Sequence, residues 1–228
     1  MLNVINASVT NTGLEHHGYA YGMNLTTGLW TSRSVNACPN TVVNECEAIV
    51  VGTRIYLWDG QYIHSRSVLP YLDTADNTWK SVTVPLFPTA QMSGNLRPHI
   101  LYEPTLSQFL IVYMGKEPRT LDALNFAAAY ATPVWSGTVP TFEHTRWVRY
   151  SDGSWYTYPG SGGNVLWKIT PPATRAGTWA FATVTVGGDA LPANPYSTNH
   201  YCRFCYVPAL NCLAWLPGAY LKVALIKP

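Results

Sequence analysis

Four tryptophans recur along the chain, and each opens a short segment in which polar residues alternate with β-branched or small ones. They are Trp30, Trp79, Trp135 and Trp179, separated by 49 (30 to 79), 56 (79 to 135) and 44 (135 to 179) residues. Alternation with a period of two indicates a half-buried strand, and roughly 40–50 residues form one four-stranded propeller blade. The repeat therefore predicts an all-β, propeller-like fold of about four four-stranded blades.

A proline-containing hairpin also recurs in phase with the tryptophans. The segment Tyr102-Glu-Pro-Thr-Leu-Ser-Gln-Phe-Leu110 is similar to Tyr206-Val-Pro-Ala-Leu-Asn-Cys-Leu213, which begins 104 residues later (102 to 206), close to two blades. Proline fixes φ and ends the first strand, polar residues turn the chain, and an apolar run returns. Both segments therefore predict tight hairpins at equivalent positions of two blades.

Two of the tryptophan segments resemble the kelch and galactose-oxidase-like propeller families. The segment Tyr71-Leu-Asp-Thr-Ala-Asp-Asn-Thr-Trp79 has the tyrosine, polar turn and tryptophan that open the outer strand of such a blade, and Tyr21 to Trp30 is similar. The paired glycines that these families carry after the second strand are absent from all four repeats. The resemblance covers most of residues 19–228 and implies a propeller.

The two chain ends suggest how the repeat closes. Residues 1–18 do not fit it and predict an N-terminal arm or an extra strand, whereas residues 19–228 predict a single propeller-like domain. The last repeat ends after three strands, so we expect Leu29–Val35 to pair beside Leu221–Ile226 and complete that blade. Such closure removes exposed sheet edges. An open or sandwich-like arrangement of the same hairpins is the alternative.

Helical signals are confined to one segment, 119–129. Pro118 precedes it, and apolar residues fall at Leu121, Leu124 and Ala128, a spacing typical of a helix. The segment forms either one short helix or a loop that leads into a strand at 127–131.

Composition limits the partners and the location of the protein. Charged residues make up 11% of the chain and the net charge is +2, whereas about a quarter of an average domain is charged. Weak and scattered basic charge argues against a nucleic-acid partner, and the short, interrupted apolar stretches argue against membrane insertion. The N-terminus lacks the pattern of a classical signal peptide. A polar, uncharged surface is common on secreted and virion proteins, so we expect a virion or extracellular location.

The cysteines and histidines do not form a recognisable cofactor site. Five cysteines exclude a fully paired intramolecular set, and Cys202-x-x-Cys205 lies in a strand-like run without a second such motif. Buried free thiols are favoured, with one or two disulfides or a metal as alternatives. No HxH or HExxH spacing occurs among the six histidines. We therefore expect no metal and no cofactor.

Acidic and basic residues give one weak indication of catalysis. Most of the twelve acidic residues stand in turn contexts, where aspartate bonds to nearby backbone, as do Asp73, Asp76, Asp152 and Asp189. We consider only Glu103 and Glu143 as candidate acids for a site. Arg97, Arg146 and Arg203 each precede or begin the first strand of a blade, so in a propeller they would converge at the central channel, as in a sialidase. Packing on aromatic rings is the alternative role for these arginines.

Aromatic residues suggest binding. Trp147, Trp155 and Trp167 are close in sequence and are expected to gather on one blade, where they form either a sugar-stacking surface or packing between blades. We therefore expect no catalytic residues and a non-enzymatic structural or adhesion protein: a decoration or tail/host-attachment component of a virus particle, phage-like, in contact with other copies, other virion proteins and cell-surface glycan. The alternatives are a soluble lectin-like propeller and a sialidase-type propeller glycosidase.

Overall fold

Strands make up nearly all the regular structure. The computed structural model describes residues 2–7, 18–23, 27, 30–32, 38, 46–59, 67–87, 98–113, 117–138, 146–160, 162–193, 204–217 and 222–228. In these residues one 3-10 turn, Pro208–Leu210, accompanies the strands, and there is no α-helix. Nor does any described segment form a helix with the length and apolarity needed to cross a membrane. The strands are β1 (Leu2–Ala7), β2 (Gly18–Met23), β3 (Trp30–Ser32), β4 (Cys46–Val51), β5 (Arg54–Asp59), β6 (Val68–Asp73), β7 (Thr78–Thr83), β8 (Pro98–Glu103), β9 (Gln108–Tyr113), β10 (Arg119–Asp122), β11 (Val134–Ser136), β12 (Val148–Arg149), β13 (Trp155–Thr157), β14 (Val165–Thr170), β15 (Thr178–Thr185), β16 (Phe204–Val207), β17 (Cys212–Trp215) and β18 (Ala224–Ile226).

The described strands form five small sheets, which makes this an all-β protein. β4 to β7 form a four-stranded antiparallel sheet in chain order. β12 to β15 repeat that arrangement, with β11 added as a fifth strand beside β15. The other three sheets have three strands each, in the orders β1-β2-β3, β10-β9-β8 and β16-β17-β18. The β4–β7 sheet and the β12–β15 part of the five-stranded sheet are therefore both four-stranded antiparallel meanders, the strand number that the tryptophan repeat predicts for one blade.

The chain divides into two compact units, each with its own core. One comprises Met1–Ile111 with Thr120–Ala131, and the other Val112–Arg119 with Thr132–Pro228. The first unit buries a cluster that includes Ile55, Leu57, Leu72 and Trp79. In the second, one face of β13 and β14 packs against β16 to β18, and this core consists of Tyr156, Tyr158, Leu166, Val186, Leu191, Phe204, Leu213, Trp215 and Ile226.

Both proline segments form tight hairpins with similar turns, which confirms the hairpin part of the sequence prediction. Ser107 and Asn211 both have positive φ, +47° and +44°. Their N–H groups donate to the carbonyl oxygens of Pro104 and Pro208, at 3.3 and 3.1 Å. A left-handed residue lets the chain reverse within one turn, so that the next strand pairs with the one before it.

The tryptophan strands do not all take the place predicted for them. Those of Trp79 and Trp179 end four-stranded meanders, as expected. Trp135 instead leaves its own repeat, because β11 pairs in parallel with β15 and places Trp135 opposite Trp179, with ring centroids 6.1 Å apart. In the part of the chain that the structure describes, a single bridge, Thr120 to Ala131, continues the sheet beyond β10.

The expected pairing of Leu29–Val35 beside Leu221–Ile226 is not among the described strand pairings. β3 pairs with β2, and β18 pairs with β17. Each of these strands therefore ends a three-stranded sheet. At the N-terminus, Leu2–Ala7 forms an extra strand that pairs with Gly18–Met23 along its whole length.

The helix considered for 119–129 is wrong. Arg119–Asp122 is strand β10, and the chain then turns, with the Leu124 N–H donating to Asp122 Oδ1 at 2.8 Å. Leu121 is buried whereas Leu124 is 77% exposed, so the helical spacing of the apolar residues does not correspond to one buried face. The bridge to Ala131 holds Thr120 in extended backbone instead.

Candidate binding site

The structure describes one of the three arginines that were predicted to converge, Arg146. Arg97 and Arg203 lie outside the described residues, and Arg146 is exposed two residues before β12. Of the two remaining candidate acids, Glu143 also lies outside them. Glu103 is fully buried and accepts hydrogen bonds from the N–H and hydroxyl of Thr105, at 3.2 and 2.8 Å. This glutamate stabilises the β8–β9 turn.

The three tryptophans do lie in one sheet. Trp155 is in β13 and Trp167 in β14, and the register pairs Trp155 with Ile169 and Thr157 with Trp167, so both tryptophans share a face. In β12, Arg149 pairs with Trp155 and therefore shares its face. Trp147 stands two residues before Arg149, so strand alternation places Trp147 on the same face. Trp147 is buried, whereas Trp155 and Trp167 are half-buried. We call this side of the sheet the tryptophan face.

Other aromatic rings extend the tryptophan face towards β11. Phe181 of β15 contacts Trp167 edge-on, with ring centroids 6.1 Å apart, and pairs with Ile169. Beyond it lies the Trp135–Trp179 pair. Three buried polar atoms of this face, Trp135 Nε1, Trp155 Nε1 and Thr157 Oγ1, have no hydrogen-bond partner in the part of the chain that the structure describes. Leaving such a group unpaired costs about 1–3 kcal/mol.

Three of the four aspartates assigned to turns accept hydrogen bonds from backbone two residues further on. Asp73 Oδ1 accepts from the Ala75 N–H at 3.1 Å, Asp76 Oδ1 from the Thr78 N–H at 3.0 Å and Asp152 Oδ1 from the Ser154 N–H at 2.8 Å. These bonds confirm the turn assignment. Bonds from Lys80 and then Thr78 also lower the pKa of Asp76 to about 2, so this carboxyl group is an anion at neutral pH and cannot act as a general acid.

A second group of side chains joins the β12–β13 turn to the β16–β17 turn within the second unit. Tyr150 lies edge-on to both Tyr156 and Tyr206, with ring centroids 5.7 and 5.4 Å away. The Tyr150 hydroxyl donates to the backbone carbonyl of Asn211 at 2.9 Å. Asn211 Oδ1 accepts from Ser151 Oγ at 2.7 Å and from the Tyr206 hydroxyl at 3.0 Å.

Asp152 connects this group to a lysine. Its Oδ2 accepts from the Tyr156 hydroxyl at 2.9 Å and from Lys168 Nζ at 3.0 Å, and Lys168 lies 5.3 Å from the centre of the Tyr156 ring. We call Tyr150, Ser151, Asp152, Tyr156, Lys168, Tyr206 and Asn211 the hairpin cluster.

The charges of the hairpin cluster are fixed near neutral pH. Burial raises the pKa of Tyr156, so its hydroxyl stays protonated. For Asp152, burial acts in the opposite direction, but hydrogen bonds from Ser154, Lys168 and Tyr156 lower its pKa overall. For Lys168, burial would lower the pKa, and the contacts with Tyr156 and Asp152 raise it. The Asp152 anion and the Lys168 cation therefore face each other at 3.0 Å.

Sequence reasoning missed the hairpin cluster as a group. Asp152 was assigned to a turn, and Lys168 carries no motif. The proline hairpin offers one signal, because it places Tyr206 and Asn211 close enough for a hydrogen bond. Which other turn these two residues contact depends on how two sheets pack. Only the tertiary structure supplies that information.

The cysteines show no shared site in the described part of the chain. Cys212 is buried and Cys205 exposed, and both are free thiols; Cys38 is buried. Cys202, together with the Cys46 side chain, lies outside what the structure describes. No group of three potential metal ligands is found among the described residues.

Comparison with known proteins yields no family. No protein-family model matches the chain, and no curated protein matches it. Among solved structures it is similar to virginiamycin B lyase from Staphylococcus aureus, with a TM-score of 0.48 and 11% identity over 98% of this chain and 68% of that one. It is also similar to Penicillium chrysogenum alpha-L-arabinanase complexed with arabinobiose, with a TM-score of 0.48 and 18% identity over 92% and 66%. At TM-scores below 0.5, neither likeness defines the fold or the activity of this chain.

Proposed function

We propose that this is a non-enzymatic structural or adhesion protein that contacts glycan through its tryptophan face. The observation that carries this proposal is the shared face of Trp155 and Trp167, two half-buried rings on one side of the β13–β14 pair. Aromatic rings offer large, rigid apolar surfaces to the apolar side of a sugar ring.

Removing the rings tests this proposal. Trp155→Ala and Trp167→Ala should each weaken binding to a glycan that the wild type recognises on an array by about tenfold or more, because buried aromatic anchors carry most of the binding energy. Phe126→Ala is the matched control, since it removes a half-buried ring stacked on Tyr56 in the other unit. Equal loss in all three variants, or none in the tryptophan variants, contradicts the assignment.

We also propose that the sheets belong to a β-propeller of about four blades, closed by Leu29–Val35 beside Leu221–Ile226. Support comes from the two four-stranded meanders and from β3 and β18, each the last strand of a three-stranded sheet. A groove of about 450 Å³ runs beside β18, lined by Val186–Pro192 and Lys222–Ile226. Val223 and Leu225 are more than half exposed there. An added strand would cover these side chains and pair with the strand edge.

The setting that we propose is a virus particle, as a decoration or a tail/host-attachment component in contact with other copies or other virion proteins. The low share of charged residues supports it. Mass spectrometry of purified particles tests it, since absence of the protein from particles would remove the virion assignment and leave glycan binding intact.

A soluble lectin-like propeller is the second candidate, supported by the same tryptophan face. Glycan binding by a protein that is absent from particles would favour it. The sialidase-type glycosidase requires turnover as well as binding. Hydrolysis of a sialoside, abolished by Arg203→Ala, would establish that activity and contradict the non-enzymatic proposal.

A further inference from the structure

We propose that the hairpin cluster is a second binding site, for a neutral saccharide. The cluster lies on the other side of its sheet from the tryptophan face: Tyr156 alternates with Trp155 along β13 and packs into the core between β12–β15 and β16–β18. It thus adds a site to the one in the proposed function and shares with it only the assumption that the protein binds glycan.

The charge balance of the cluster selects the class of ligand. Asp152 and Lys168 neutralise each other at 3.0 Å, and Tyr156 donates to the same carboxylate oxygen. An anionic ligand would compete with Asp152 for the ammonium group, and a cationic ligand would compete with Lys168 for the carboxylate. A neutral ligand leaves the pair intact, so the site favours neutral molecules over charged ones.

The cluster also offers both kinds of hydrogen-bonding group that hydroxyls need. Asp152 and Lys168 keep 37% and 26% of their side chains exposed, as an acceptor and a donor. The side-chain oxygen Oδ1 of Asn211 accepts two hydrogen bonds, from Ser151 and from Tyr206. The side-chain N–H groups of Asn211 take no part in these two bonds and can donate to a ligand. A sugar carries several adjacent hydroxyls, each of which both donates and accepts.

The tyrosines supply the apolar part of the site. Tyr150 and Tyr206 are half-buried and pack against the rim of the core. Their hydroxyls are tied to Asn211 at 2.9 and 3.0 Å, which holds the rings in place before a ligand arrives. Binding to pre-ordered rings loses less side-chain entropy than binding to mobile ones.

The same contacts also fasten two hairpins together, so the test must separate binding from stability. Asp152→Asn keeps the shape and the bond from the Ser154 N–H but removes the charge. Asp73→Asn is a matched control, because Asp73 also accepts a bond from backbone two residues on and pairs with a lysine, Lys80, at 3.2 Å. Asp73 belongs to the other unit.

The measurement is isothermal titration calorimetry of the full chain with neutral gluco-, manno-, galacto- and arabino-tetrasaccharides and with an anionic oligogalacturonate. We expect the wild type to bind at least one neutral oligosaccharide. Asp152→Asn should weaken the binding of that neutral oligosaccharide about tenfold, because a charged hydrogen-bonding group is lost. The same variant should not weaken the binding of oligogalacturonate. Asp73→Asn should leave the affinities for the neutral and the anionic oligosaccharide unchanged. The melting temperature of each variant reports any loss of folding. If Asp152→Asn does not fold, Asn211→Gly should show the same loss of neutral-oligosaccharide binding. Glycine suits the positive φ of that position.

Four results would overturn the inference. Unchanged neutral-saccharide binding in Asp152→Asn, with loss in Trp155→Ala, removes the hairpin site and leaves the proposed function standing. An equal effect of Asp73→Asn shows that the loss is not specific to the site. Preference of the wild type for the anionic oligosaccharide contradicts the charge argument. Absence of any glycan binding removes both this site and the glycan contact of the proposed function.

Discussion

Single residues decide much of the local geometry through short-range hydrogen bonds. The aspartates of the turns bond to backbone two residues further on, and their role could be predicted because donor and acceptor lie within one turn. Tyr158 differs, because it reaches across the second unit. Its hydroxyl accepts from the Gly162 N–H at 2.9 Å and donates to the Leu191 carbonyl at 3.2 Å, while its ring lies against Trp215.

Tyr158→Phe should lower the free energy of unfolding by about 1–3 kcal/mol, because it removes the hydroxyl partner of a half-buried N–H and of a buried carbonyl. Tyr130→Phe is the matched control. The Tyr130 hydroxyl is buried and has no partner in the described part of the chain, so its removal should be neutral or stabilising. Denaturant unfolding of both variants gives the comparison. An equal cost for the two would show that the Tyr158 bonds contribute nothing specific.

At the scale of elements, β11 shows how a strand can leave its own repeat. The alternating pattern around Trp135 correctly predicts a strand, but its partner is β15 and not β10. Contact between the tilted rings of Trp135 and Trp179 favours that partner, and Gly137 permits it. Its φ is +85°, and a Cβ there would lie 2.4 Å from the carbonyl oxygen of Phe181.

Gly137→Ala should destabilise the protein by about 2–4 kcal/mol, because it adds a steric clash to an unfavourable φ. Gly52→Ala isolates the backbone term, since Gly52 has a φ of +60° but only open space around its Cβ position. That variant should cost about 1 kcal/mol. Thermal and denaturant unfolding measure both. If the two costs agree, the close approach of β11 to β15 does not limit stability.

At the scale of the whole molecule, closure of the propeller predicts a pattern of amide exchange. In an edge strand alternate N–H groups point away from the one neighbouring strand and exchange with solvent. If Leu29–Val35 pairs beside β18, consecutive amides of Ala224–Ile226 should all be protected in hydrogen exchange measured by NMR. β16, at the other edge of the same sheet, is the internal control and should show alternating protection. Alternating protection in β18 as well would contradict closure.

The sequence by itself determined the all-β class, the hairpins at Pro104 and Pro208 and the turn role of the aspartates. Each depends on periodicity or on contacts within a few residues, which the order of the chain records directly. Tertiary structure alone decided that β11 joins β15, that 119–122 is a strand, and that Tyr150, Asp152 and Asn211 meet. The β11–β15 pairing and the contacts of Tyr150 and Ser151 with Asn211 join segments far apart in sequence. The packing of sheets and rings selects among several partners that local patterns make equally suitable.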